Sequence, residues 1–307
     1  MNIVTLLNAM PGAFAQGLIW GIMAIGVYIT FRILDIADLT VDGSLCTGGA
    51  VCIMLLQSGH NVWFSLLIAF LAGMVTGLVT GMFHTFLGIA PILAGILTQL
   101  SLYSVNLKIM GKSNQAINVD KYHLLVSLRY IKNVAFYKNT LVVVAIFLIV
   151  IIGLLYWFFG TELGTGIRAT GCNGNMARAQ GINTDFNKVL GLMISNGLVA
   201  LSGALLAQYQ GFADINMGRG AIVIGLAAVI IGEAVFRKIF HNFALILLSV
   251  GIGSIIYYIV YQVIIWLGLD TDLLKLLSAL VVAFFLGLPH LKAKYFTKVK
   301  NGGATNA

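Results

Sequence analysis

The sequence predicts an all-α, polytopic transmembrane protein with an inverted repeat and broken helices. Three observations carry that expectation. The 307 residues are 60% apolar and only 9% charged, with a mean hydropathy of +0.99, whereas soluble domains are about half apolar and about a quarter charged. So little charge cannot coat a water-facing surface. Uncharged stretches run well past the length of one bilayer crossing, and two polar motifs that resemble each other interrupt the apolar pattern. Disorder, which needs low hydrophobicity and high net charge, is excluded.

Residues 1–31 hold no Asp, Glu, Lys or Arg, and neither do the 65 residues 43–107. About 20 apolar residues cross a bilayer, so the second stretch folds into several spans. His60 with Asn61 marks one hinge and His84 another. The spans read as 12–31, 44–58, 62–83 and 85–107, followed by a polar segment over 108–139. Residues 140–160 form the cleanest span, about 31 Å at roughly 1.5 Å per residue. A second polar segment, 161–188, precedes spans at 189–209, 221–236, 243–268 and 274–289. The N-terminus has no basic run ahead of its apolar stretch and reads as a retained helix. Spans 44–58, 221–236 and 274–289 are too short for a roughly 30 Å core, so either they are half-helices backed by protein or their ends are misplaced. Gly73, Gly77 and Gly81 share one helix face, as do Gly17 and Gly21, a spacing that lets backbones approach closely. The expectation is one membrane domain over 1–307.

The net charge is +8, from 18 Lys+Arg against 10 Asp+Glu. That excess reads as membrane topology, not nucleic-acid binding. Lys292, Lys294, Lys298 and Lys300 follow the last span, and the positive-inside rule sets this tail, 290–307, inside. Nine crossings then put the N-terminus and 108–139 outside, with 161–188 and 237–242 inside. Arg168, Arg178, Lys188, Arg237 and Lys238 agree with that side. The outer segment runs against the rule, because Lys108, Lys112, Lys121, Arg129, Lys132 and Lys138 are balanced by Asp120 alone. Leu124, Leu128, Ile131 and Ala135 at helical spacing suggest an interfacial helix that presents these cations, either to a partner or to lipid headgroups. Trp63 and Trp266 near outer ends, and Trp157 near an inner end, suit interfacial belts.

The two polar motifs are Asp35–Gly43 and Gly211–Gly220. Each follows a long span and precedes a short one, and each contains Ala-Asp, an aliphatic residue and then a polar one. The topology runs them through the membrane in opposite senses. Inverted repeats with broken helices recur in transporters, which makes Asp38, Thr40, Asp42, Gly43, Asp214, Asn216 and Gly218 the candidate path residues. The plainer reading is two membrane-edge loops with helix caps.

No energy source is written in the chain. Gly111-Lys112-Ser113 imitates the end of a phosphate-binding loop, but Asn106 stands where that loop needs its first glycine. Glu233 lies inside a span, four residues before Arg237, which reads as an i,i+4 pair or as a gating carboxylate. Cys46, Cys52 and Cys172 lack metal-ligand spacing and read as packing residues. Leu201-Ser202-Gly203 lacks the preceding glycine of a nucleophile motif, and the histidines are scattered, so no catalytic constellation is expected.

In the inner segment, Asn173 or Asn175 can cap a short helix, Met176–Gln180 can form it, and Gly181 can end it. The run Gly164–Asp185, patterned G-x-x-x-R-A-x-G-x-x-x-x-x-A-x-x-x-G-I-N-T-D, resembles the coupling loop of ABC importer permeases of the branched-chain amino acid permease family. Asp38–Gly43, Asn106–Lys112 and Ile230–Glu233 resemble its tryptophan/tyrosine-type subgroup, with Cys46-Thr47 departing from the bulkier residues expected there. The resemblance covers roughly residues 12–290. It implies a membrane subunit without catalysis or a cofactor of its own, paired with a second copy of itself in a bacterial cell membrane. A separate ABC ATPase would carry ATP and magnesium and dock at Arg168, Asn175, Met176, Ala177, Arg178, Ala179 and Gly181. An extracytoplasmic substrate-binding lipoprotein would deliver an amino acid, aromatic by the subgroup, and dock on Lys108, Lys112, Lys121, Arg129, Lys132 and Lys138. An ion-coupled secondary transporter is the alternative, with Asp38, Asp42, Asp214 and Glu233 as its available carboxylates. A membrane scaffold without flux is a third.

Overall fold

The computed structural model describes residues 3–119, 121–122, 124–131, 139–236, 239–240 and 242–267, with positions 276, 279, 280, 283 and 287 besides. Span 274–289, the basic tail, Lys132, Lys138 and Arg237 fall largely or wholly outside the described residues.

Ten helices follow one another among the described residues: α1 (Ile3–Tyr28), α2 (Val41–Gln57), α3 (Val62–Thr85), α4 (Pro91–Met110), α5 (Thr140–Phe158), α6 (Glu162–Cys172), α7 (Gly174–Ala179), α8 (Thr184–Gln210), α9 (Ala221–Phe236) and α10 (Phe243–Trp266). Six of them are long and apolar enough to cross a membrane, while α2 and α9 are shorter apolar helices. At about 1.5 Å per residue their 17 and 16 residues reach only about 25 Å, so each must begin inside the protein. These lengths fit the half-helix alternative of the sequence reading.

Two triads build the core. α1, a break and α2–α3 form the first repeat; α8, a break and α9–α10 form the second. α1 packs along α10 and α8 along α3, so each long helix is clasped by the third helix of the other repeat. Glycine makes both seams close. A Cβ at Gly21 would lie 2.9 Å from Ser254 Oγ, and one at Gly77 only 2.3 Å from the Leu192 carbonyl oxygen. Hydroxyls reinforce the seams, with Ser254 donating to the Gly17 carbonyl at 2.5 Å and Ser195 to that of Gly26 at 2.7 Å.

The repeats are inverted. The turn that follows α1, residues 29–33, touches α6, where Gly171 lies against the Ile33 carbonyl, whereas α8 leads away from α6 and α7 toward the opposite end. There a two-stranded antiparallel ribbon, β1 (Asn114–Ala116) with β2 (Phe212–Asp214), ties the segment after α4 to the segment after α8. In the orientation read from sequence, α6 and α7 mark the inner end and the ribbon the outer end.

Three sequence expectations are corrected. The hinge placed at His84 lies at 86–90, because α3 runs on to Thr85 and Pro91 occupies the first turn of α4, where its missing N–H costs nothing. The interfacial helix expected from Leu124 onward is absent over 124–127. Leu125 N–H donates to Gln208 Oε1 at 3.2 Å, and Ser127 exchanges two hydrogen bonds with Thr140 Oγ1, so side chains satisfy this backbone instead of a helical ladder. Among the described residues a 3₁₀ turn, Leu128–Ile131, follows, with Leu124 buried and Leu128 exposed, and Ala135 lies outside the described residues. Finally, the polar segment 161–188 contains a helix that was not expected there, α6 over Glu162–Cys172.

Candidate functional site

The break in the first repeat begins with a π-helical turn, Ile29–Ile33, closed by Leu34 N–H donating to the Ile29 carbonyl at 3.0 Å. Asp35 then takes a positive φ of 56°, uncommon for a non-glycine residue, and turns the chain back into the protein. Asp38 is buried. Its Oδ1 accepts from Thr40 N–H at 2.9 Å and its Oδ2 from Asn196 Nδ2 at 2.7 Å. From there a buried polar chain runs across four helices, α8, α2, α3 and α4. Asn196 Oδ1 accepts from Ser44 Oγ at 2.6 Å, and Ser44 pairs with Thr76 Oγ1 at 2.7 Å. Thr40 pairs with Thr80 at 2.7 Å, and Thr80 donates to Thr98 at 2.9 Å. No cation pairs with Asp38 among the described residues. Its charge is met by two donors, as buried polar groups require. Asn196, Ser44, Thr76, Thr80 and Thr98 were missed from sequence, although polar residues inside apolar spans were the available signal.

The second break repeats the same turn. Asp214 Oδ1 accepts from Asn216 N–H at 2.7 Å, as Asp38 does from Thr40. The two breaks then meet. Asp42 accepts from Gly220 N–H at 2.9 Å and from Ile222 N–H at 3.0 Å, so a carboxylate of the first repeat caps the half-helix of the second. Gly218 permits this approach, because a Cβ there would fall 1.9 Å from the Asp42 carbonyl oxygen. Gly43 sits against Leu102 of α4. Of the seven candidate path residues, Asp42 and Gly218 meet at this junction with Gly43 beside them, while Asp38 and Thr40 lie in the buried polar chain, Asp214 in the ribbon and the exposed Asn216 just after it.

At the inner end, Asn173 rather than Asn175 caps α7, its Oδ1 accepting from Met176 N–H at 3.0 Å, and Gly181 follows with a φ of 82°. Asn175, Met176, Arg178 and Ala179 are exposed on this single turn, while Ala177 is buried beneath it. Arg178 donates to Thr184 Oγ1 at 2.9 Å and thereby ties α7 to the start of α8. Arg168 of α6 stands over the Phe243 ring at 5.2 Å. α6 carries α7 and packs on the first break, where Gly171 presses on Ile33, the last residue of the π-helical turn. Glu233 has a partner far away in sequence. Arg32 grips it with two donor groups, Nε reaching Oε1 at 2.8 Å and the second nitrogen reaching Oε2. This pair joins the end of α1 to the end of α9.

Comparison with known proteins fixes the family. A family model described as the permease component of branched-chain amino acid transport systems matches residues 10–286. The chain belongs to this permease family. A relative named a tyrosine transport system permease protein, from Clostridioides difficile (strain R20291), is 39% identical over 285 residues, covering 93% of this chain and 92% of its own. An uncharacterized protein of Rickettsia prowazekii (strain Madrid E) is 36% identical, covering 93% of this chain and 99% of its own. One chain of PsaBC from Streptococcus pneumoniae in complex with Fab shares the fold at a TM-score of 0.53 and 16% identity, covering 95% of this chain and 100% of that one. The permease is accordingly a multi-pass membrane protein.

The ribbon end of the permease carries Lys108, Lys112, Lys121 and Arg129, all exposed. Lys108 lies in the last turn of α4, Lys112 just before β1, and Lys121 over the Tyr122 ring at 5.5 Å. They share the end opposite α7. Two surfaces of different character therefore flank the junction, one a capped turn and the other a cationic, ribbon-tied segment.

Proposed function

We propose that the chain is the membrane-spanning, non-catalytic subunit of an ATP-driven importer in the cytoplasmic membrane of a bacterium, working beside a second copy of itself. The observation that carries this reading is the capped, exposed α7 mounted through α6 on the first break. A single turn offering Asn175, Met176, Arg178 and Ala179, with Arg168 behind it, suits a groove on a separate ABC ATPase that holds ATP and magnesium. Ala177 and Gly181 shape the turn. Motion of α7 would pass through the Gly171–Ile33 contact to Asp35–Thr40 and so to the repeat junction. The runner-up, an ion-coupled transporter, is less well supported because Asp38 is already occupied by two protein donors and Glu233 by Arg32.

At the other end, acidic groups of an extracytoplasmic binding lipoprotein would meet Lys108, Lys112, Lys121 and Arg129, together with Lys132 and Lys138. That use accounts for cations on a face where the positive-inside rule expects few. The cargo that fits best is an amino acid of aromatic type, the class carried in the name of the Clostridioides difficile relative.

Two variants separate the surfaces. Ala179→Glu should lower ATPase copurification about tenfold and leave binding-protein docking intact. Lys121→Glu with Lys112→Glu should do the reverse. ATPase capture and normal uptake by the Ala179→Glu variant would remove α7 from the coupling role.

A further inference from the structure

Between α2, α4 and the turn entering α9 lies a cleft of about 130 Å³. Its polar lining comprises Asp42, Cys46, Gln99, Tyr103, Asn106 and Arg219. Asn106 is the unusual member. It is 1% exposed, its Nδ2 donates to the Gly43 carbonyl at 3.4 Å, and its amide also lies beside the Cys46 thiol. Oδ1 is buried and has no hydrogen-bond partner. A buried acceptor left unpaired is costly, which makes it a group that a ligand donor would complete.

The charges in the cleft point to the same kind of ligand. Asp42 is held in place by two backbone donors and keeps further lone pairs. Arg219 lines the same cleft, is exposed, and makes no ion pair or side-chain hydrogen bond among the described residues. A carboxylate and a guanidinium thus line one small cleft without closing on each other. A solute carrying both an ammonium and a carboxylate would answer all three groups.

We infer that this cleft is a way-station in the path that recognises the zwitterionic head group of an α-amino acid, with Asn106 Oδ1 and Asp42 facing the ammonium and Arg219 the carboxylate. The cleft's size suits the head group and leaves the side chain outside, so it selects amino acids as a class. It draws on both repeats, because Asp42 belongs to the first break and Arg219 to the second. Asn106 stands four residues before the outer end of α4, about 6 Å along its axis, which sets the station near the side where cargo arrives. The inference deepens the importer reading and rests on it for the cargo class.

The test uses the full chain with its ATPase in nanodiscs, and reads ligand contact by saturation-transfer NMR. The probes are L-tyrosine, tyramine, which lacks the carboxylate, and desaminotyrosine, which lacks the ammonium. L-Tyrosine should bind best. Arg219→Gln should weaken L-tyrosine about tenfold or more and spare tyramine, with Arg219→Lys recovering part of the loss. Asn106→Leu should weaken L-tyrosine and tyramine and spare desaminotyrosine. Unchanged L-tyrosine contact in both variants, or equal loss of all three probes, would overturn the assignment. ATP-driven uptake by the wild-type complex is measured alongside: its absence would overturn the importer reading, while the NMR arm still decides the cleft.

Discussion

The two broken-helix segments start from one design and end in different surroundings. Asp38 and Asp214 make the same turn, each accepting from the backbone N–H two residues on. Asp38 is then drawn into the protein, where Asn196, Ser44 and three threonines extend its bond into a network across α2, α3, α4 and α8. Asp214 instead sits beside the outer ribbon, with a long 3.4 Å contact from Asn114. The asymmetry teaches that the first break is a fixed anchor and the second a rim.

The strongest way to break the comparison is to part the repeats where they touch. Gly218→Val would push a branched side chain into the Asp42 carbonyl, 1.9 Å from the new Cβ, and backbone on both sides cannot step aside. A loss of about 3 kcal/mol or more is expected, read as a collapse in folded yield and melting temperature in detergent. A variant of normal stability would mean that the junction is looser than described.

Removing the anchor comes next. Asp38→Ala would leave Thr40 N–H without its acceptor and one of the two Asn196 Nδ2 hydrogens unpaired, the other still reaching the Leu192 carbonyl at 3.0 Å, costing about 2–4 kcal/mol. Transport should fall with stability, and Asp38→Asn, which keeps one acceptor, should recover part of both. The rim should tolerate the same cut. Asp214→Ala loses one local turn bond and a weak contact, so about 1 kcal/mol or less is expected in the same melting assay. Equal effects at Asp38 and Asp214 would erase the distinction between anchor and rim.

Much of this was legible in the sequence, for reasons that also explain what was not. The 65 uncharged residues and the polar motifs gave the spans and the repeat, because hydropathy and chain direction are local properties. The α7 cap was readable as one of two asparagines for the same reason. The ribbon was not, since Asn114–Ala116 shows no alternation and finds its partner about a hundred residues away. α6 was hidden by Gly164, Gly166 and Gly171, poor helix formers that are there to let its backbone press on its neighbours. The Arg32–Glu233 grip spans 201 residues, so the nearer Arg237 was the natural partner to expect.

The most direct test of the account is uptake into proteoliposomes holding the wild-type chain, with the ATPase, ATP and the binding protein added or withheld in turn. Radiolabelled L-tyrosine should accumulate only when all three are present, and an imposed proton or sodium gradient should not replace them. Accumulation driven by such a gradient without the ATPase would contradict the account and identify a self-sufficient carrier instead.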